Sequence, residues 1–115
     1  MNERDLAYVW DILQAARETQ RFVKGKRYND LLTDRMLRLT IERELEIMGE
    51  AARRVSAECR EEHPEIPWTG IIAQRNVIAH EYGDIRLEWM WVVATDRIRE
   101  LIPLLEPLIP SPQEG

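Results

Sequence analysis

The sequence predicts an all-α fold: an up-and-down bundle of four main helices, with a possible short extra turn after the first. Three observations lead there. Apolar residues recur at steps of three and four through most of the 115 residues, the spacing that lines one face of a helix. No stretch of useful length alternates apolar and polar residues as a half-buried strand does. Glycine and proline, the strongest local breakers, are scarce before residue 60 and clustered after it, so the helices should be long and their ends readable. The length suits one domain with one modest core. We expect that domain to span residues 1–106 and an irregular tail to occupy 107–115. No internal repeat is present.

The first helix is expected from about Glu3 to Lys24, with Leu6, Val9, Leu13, Ala16, Gln20 and Val23 as its buried stripe, stopping near Gly25. "RYNDLLTD" reads as a short helical turn or a loop. Asp34 is then a candidate N-cap for a long helix to about Cys59, with Leu37, Ile41, Leu45, Met48, Ala52 and Val55 on its inner face. Gly49 inside it costs about 1 kcal/mol relative to alanine; with Ala51 and Ala52 beside it, close approach of another helix is the expected return. "EEHPEIPW" reads as a loop, because two prolines three apart cannot both sit in a helix interior. A third helix should start near Pro67 or Trp68 and run until Gly83 ends it. The last, from about Leu87 to Leu105, should bury Met90, Val93, Ala94, Ile98, Leu101 and Leu105, with Pro103 bending or fraying its end. Trp89 and Trp91 are two apart and cannot share a face, so one is expected inside and the other exposed or covered by a partner.

Composition narrows the function classes. With 44% hydrophobic and 32% charged residues the chain has the balance of a folded protein. A formal charge of −5 disfavours coating nucleic acid by bulk attraction, which needs a broad cationic field, but leaves room for a local basic groove. The single cysteine, Cys59, makes no internal bridge, and no hydrophobic signal segment opens the chain, so a cytoplasmic setting is expected. No span approaches the roughly 20 apolar residues of a membrane helix. His63 and His80 are far apart and leave no zinc spacing, and neither a Gly-rich phosphate loop nor a Gly-x-Ser-x-Gly elbow occurs. The row Glu42, Glu46 and Glu50 lacks a Glu-x-x-His to complete a metal site and reads as a solvated or salt-bridged face. The run Arg17, Arg21, Lys24, Lys26 and Arg27 reads as a solvated helix end that suits the helix dipole.

Chemistry concentrates in "RNVIAHEYGD", where Arg75, Asn76, His80 and Tyr82 interrupt an apolar helix pattern. At about 100° per residue, Arg75 and Tyr82 share a face to within about 20°, whereas His80 lies about 140° from Arg75. A lone straight helix therefore cannot easily aim all three at one point; a long arginine reach, a loosened helix end or a second copy of the chain would be needed. The set suits metal-free phosphoryl transfer on RNA. Histidine titrates near pH 6.5 when unperturbed, so His80 is a candidate to take the proton of a ribose 2′-hydroxyl or give one to the leaving oxygen. Arg75 offers a permanent cationic fork to the non-bridging oxygens, and Asn76 could fix the ring tautomer or bind phosphate. Tyr82 could hydrogen-bond, stack on a base or be modified. Each also has a structural reading: His80 as a hydrogen-bonded packing residue, Arg75 in an ion pair with Glu81 or with a carboxylate on the second long helix, and Tyr82 at the core edge.

The order Arg-x4-His-x-Tyr, with Asn76 directly after Arg75, resembles the signature of the HEPN superfamily, specifically its HepT-like ribonuclease toxins. "FVKGKRYNDLLTDRML", "EIMGEAARRVS" and "LEWMWVVATDRIRELIPLL" are similar to further segments of that family, so the resemblance covers nearly the whole chain. Two positions depart from it: Gly83 replaces a frequent aromatic, and Arg86 stands where an acidic residue is common. The resemblance implies a homodimeric helical bundle whose motif helices face one cleft and cut RNA without metal or cofactor. It also implies a partner, a minimal nucleotidyltransferase antitoxin that moves AMP onto the motif tyrosine, here Tyr82. The alternative is a non-catalytic helical dimer that binds a nucleotide or docks a nucleotidyltransferase, for which four tryptophans offer interface anchors.

Overall fold

The computed structural model describes residues 1–80 and 84–110; the side chains of 75–80, 84 and 85 lie outside the described part. Among the described residues every regular element is helical. Helix α1 spans Glu3–Val23, capped by the Asn2 side chain, which accepts from the Asp5 amide at 2.7 Å. It ends before Gly25, whose φ of +77° is the left-handed conformation that lets a helix stop. "RYNDLLTD" does contain a helix, α2, Tyr28–Thr33. Asp30 accepts from the Arg27 amide at its start, and Arg38 donates to the Leu31 and Leu32 carbonyls at its end.

Helix α3 spans Arg35–Arg54 and is capped as expected: the Asp34 carboxylate accepts from the Leu37 amide at 3.1 Å. It does not continue to Cys59. The chain breaks at Val55 and Ser56 and restarts as α4, Ala57–Glu62, with the Ser56 hydroxyl accepting from the Cys59 amide. The physical cause lies 51 residues upstream. Asp5, buried in α1, accepts from the Ser56 amide at 2.9 Å and from its hydroxyl at 2.6 Å, holding Ser56 in the extended geometry of a cap. Burial alone would push the Asp5 carboxyl up, but the two Ser56 hydrogen bonds outweigh it and the pKa is lowered.

Helix α5, Trp68–His80, begins after Pro67, and the Trp68 indole donates to the His63 carbonyl at 2.9 Å, fixing its start. The last rod consists of α6 (Asp84–Val92), a wide π turn (Val93–Arg97) and α7 (Ile98–Leu105), followed by a 3₁₀ turn at Glu106–Leu108. Pro103 lies within α7, which continues to Leu105. The core is one cluster in which α3 is central, packed on α1 on one side and α5 on the other, while α7 closes against α1. The six apolar residues expected inside the last helix are all buried. On α1 the stripe is corrected by one position: Gln20 is exposed, and Thr19 is fully buried because its hydroxyl donates to the Ala15 carbonyl at 2.8 Å. Trp89 and Trp91 do not divide into one inside and one outside. Met90 between them is fully buried, so the two rings flank it and both are half-buried at the core edge.

Candidate functional site

Three of the four motif residues are carried by the last two turns of α5, whose inner face is set by buried Ile71 and Gln74. The side chains of Arg75, Asn76 and His80 lie outside the described residues, as does Tyr82 entirely. What the structure does describe is the frame around them. On one flank, the start of α6 is tied to α3 by an ion pair between Arg86 and Glu42, both side chains being largely buried. The unusual arginine at position 86 thus has a partner, and it lies four residues after Tyr82. Glu42 belongs to the acidic row of α3, whose other members are salt-bridged too: Glu46 lies 4.0 Å from Arg43, and Glu50 binds Arg53 at 2.7 Å and Arg54 at 2.9 Å. Hydrogen bonds from Arg53 and Arg54 lower the Glu50 pKa to about 2. In the basic run, Arg17 pairs with Glu106 at 2.8 Å, while Lys24, Lys26 and Arg27 are exposed.

Two hollows stand out. One of about 490 Å³ lies along α1 and α3 and mixes Arg43, Arg53 and Arg54 with Asp11, Glu46 and Glu50, so its charges largely satisfy one another. The other, about 440 Å³, lies between α5 and the α6–α7 rod and is lined mainly by apolar groups, among them Ile71, Val93 and Leu101, with Trp89 and Gln74. The second is the one beside the motif, since Gln74 directly precedes Arg75. Gln74 is only 7% exposed, and its Nε2 has no hydrogen-bond partner among the described residues. Nothing in the sequence pattern singled it out: one glutamine in an apolar helix looks like a surface position until the α7 side of the cavity is in place.

A second buried polar group also escaped the sequence reading. Glu44 on α3 is 7% exposed, and its Oε2 has no hydrogen-bond partner among the described residues. Burial raises its pKa to about 7, helped by the hydrogen bond and charge of Glu18 and opposed by Arg21 and Arg43. No group of three or more histidine, cysteine or acidic residues suited to a metal ion occurs among the described residues. No described helix is long and apolar enough to cross a membrane.

An all-α bundle that carries Arg75, Asn76 and His80 on one helix, with Tyr82 two residues further along the sequence, has the features of a HEPN-type domain. The family model described as Ribonuclease HepT-like matches residues 12–108, and the chain belongs to that family. Among its relatives, the chain is 32% identical over 102 residues to "Putative RNase MJ1380" of Methanocaldococcus jannaschii, covering 88% of this chain and 94% of the relative. It is 34% identical over 94 residues to "Putative RNase TTE0752" of Caldanaerobacter subterraneus subsp. tengcongensis, covering 82% and 84%. To "Probable ribonuclease HepT" of Thermococcus cleftensis it is 29% identical over 101 residues, covering 88% and 92%. No solved structure matches the chain.

Proposed function

We propose that the protein is a metal-independent endoribonuclease toxin that cuts RNA, of the tRNA or mRNA class, at a site shared by two copies of the chain. A minimal nucleotidyltransferase antitoxin neutralises it by placing AMP on Tyr82. The observation that carries this reading is the family match over residues 12–108 together with an intact Arg75-Asn76-x3-His80-x-Tyr82 set. The relatives' names, each an RNase or a ribonuclease, support the substrate class.

In this mechanism the ribose 2′-oxygen attacks the adjacent phosphorus and the bond to the 5′-oxygen of the next nucleotide breaks. His80 takes the 2′-hydroxyl proton or supplies one to the departing oxygen. Arg75 holds the non-bridging oxygens where negative charge grows, and its planar fork suits them better than a point charge would. Asn76, one turn before His80, orients the ring or the phosphate. Positions 75 and 80 differ by about 140° around α5, and a two-fold axis answers that difficulty by letting one chain's arginine work with the other's histidine. In the silencing step the Tyr82 hydroxyl attacks the α-phosphorus of ATP and pyrophosphate leaves. The added nucleotide brings bulk and negative charge to the place where RNA phosphate must bind.

Cleavage of a labelled tRNA pool in EDTA tests the reading. Wild-type protein should give product without added metal, and His80→Ala should lose at least about 100-fold in rate while its circular dichroism and gel-filtration volume stay those of wild type. Equal rates for the two proteins would end the assignment. A mass gain on Tyr82 with ATP and the partner, but no cleavage under any condition, would make the protein a docking module instead.

A further inference from the structure

We infer that the cavity between α5 and the α6–α7 rod is a nucleobase subsite, in which Gln74 hydrogen-bonds the edge of one base of the bound RNA and Trp89 covers its face. The inference rests on the ribonuclease reading for the source of the base and on the cavity for everything else. At about 440 Å³ the space is within the range of ligand sites. Its walls are chiefly apolar, and the one polar side chain buried in them, Gln74, has an amide nitrogen with no acceptor among the described residues. A neutral amide cannot resolve that by titrating. Left dry and unmet it costs about 1–3 kcal/mol, and a base edge rich in ring nitrogens and carbonyl oxygens supplies the acceptor.

Three further features select a base over other occupants. The rim carries Arg97 but also Glu65 and Glu100, a mixture that repels a phosphate as much as it attracts one. Gly70 lines the same space, and a Cβ built there would meet nothing closer than the Pro67 Cβ at 3.9 Å. No protein side chain therefore fills the space beside this helical position, which leaves room for a flat ring. Finally, Ala73 also lines the cavity, and position 80 follows it by seven residues. In the register of α5 that is about 20° around and about 10 Å along the axis, whereas Gln74 lies about 120° around, so the Ala73 edge of the pocket is the part nearest the expected point of cleavage, a nucleotide or so away. The ring stacks against Trp89 in the sequence-tolerant manner of single-stranded RNA readers, and the amide then discriminates among bases.

The test separates base reading from cleavage. Fluorescein-labelled 2′-O-methyl octamers of A, C and U have no free 2′-hydroxyl to attack with, so anisotropy reports binding alone. Wild-type protein should favour one octamer over the weakest by about 10-fold. Gln74→Leu should bind all three alike, and Gly70→Leu, which fills the mouth, should weaken all of them; both should keep wild-type helical content. Unchanged preference in Gln74→Leu or unchanged affinity in Gly70→Leu would overturn the subsite, and so would competition by free AMP, CMP or UMP at the concentrations at which the octamers bind, which would make the cavity a free-nucleotide site. Gln74-dependent preference in a protein that never cuts RNA in EDTA would leave the subsite standing and sink the ribonuclease. Cleavage at unchanged positions by Gln74→Leu would do the reverse.

Discussion

Glu44 on α3 and Gln74 on α5 are buried to the same degree, each 7% exposed, and each keeps one side-chain atom that no described protein group meets. They differ in how the debt to lost water can be settled. Glu44 faces Glu18, and a proton neutralises Glu44 at the threshold of physiological pH, since burial and that neighbour raise its pKa to about 7. Gln74 has no ionisable hydrogen to trade and borders the cavity between α5 and the last rod. One site is therefore self-contained and senses the solvent, while the other is incomplete until something enters it. Asp5 supplies the reference for both: it is 3% exposed, yet Ser56 provides two donors to its carboxylate.

Removing that reference should have the largest effect on stability. Asp5→Ala leaves the Ser56 amide and hydroxyl without their acceptor at the α3–α4 break, and we expect a loss of about 2–4 kcal/mol in urea unfolding; a loss below about 1 kcal/mol would show that the break does not depend on it. Glu44→Gln should come next. A carboxyl whose folded pKa is about 7, against an ordinary 4.5, binds more protons folded than unfolded between those values, so the wild type loses stability as pH rises through that window. The variant, neutral throughout, should match the wild type near pH 4 and exceed it on the order of 2 kcal/mol at pH 8. Parallel curves of melting temperature against pH for the two proteins would contradict this. Gln74→Leu, an apolar residue of similar size, should raise stability by about 1 kcal/mol at any pH, which would sharpen the contrast because only Glu44 responds to protons. Gly70→Ala should add about 0.5–1 kcal/mol, the smallest gain, measured by the same unfolding curves.

Much of the frame was legible from local chemistry. The Asp34 cap, the stop at Gly25 and the inner stripe of the last helix each depend on residues within a turn or two of one another, and each stands where spacing put it. The break at Val55 and Ser56 was not legible, because Asp5 imposes it from 51 positions away. The choice of Thr19 over Gln20 turned on a hydroxyl able to bond its own backbone, which an apolar-spacing rule ignores. Of the site, the residue types and their helix were readable in "RNVIAHEYGD", while their mutual geometry lies outside the described residues. Gln74 and Glu44 were invisible for a common reason: a polar letter in a helix announces itself as buried only when the neighbouring helix is present.

The π turn at Val93–Arg97 gives the last rod an unusual pitch, and its effect can be read in a comb of four residues. Trp89, Val93, Arg97 and Leu101 step by four and all border the same hollow. On an ordinary α-helix each such step would creep by about 40°, so the last tooth would have swung roughly 120° away from the first. The slower winding of the wide turn absorbs that creep. A single residue of slack thus keeps an aromatic ring, a cation and an aliphatic floor in one column, and deleting Thr95 would be enough to unscrew one half of the column from the other.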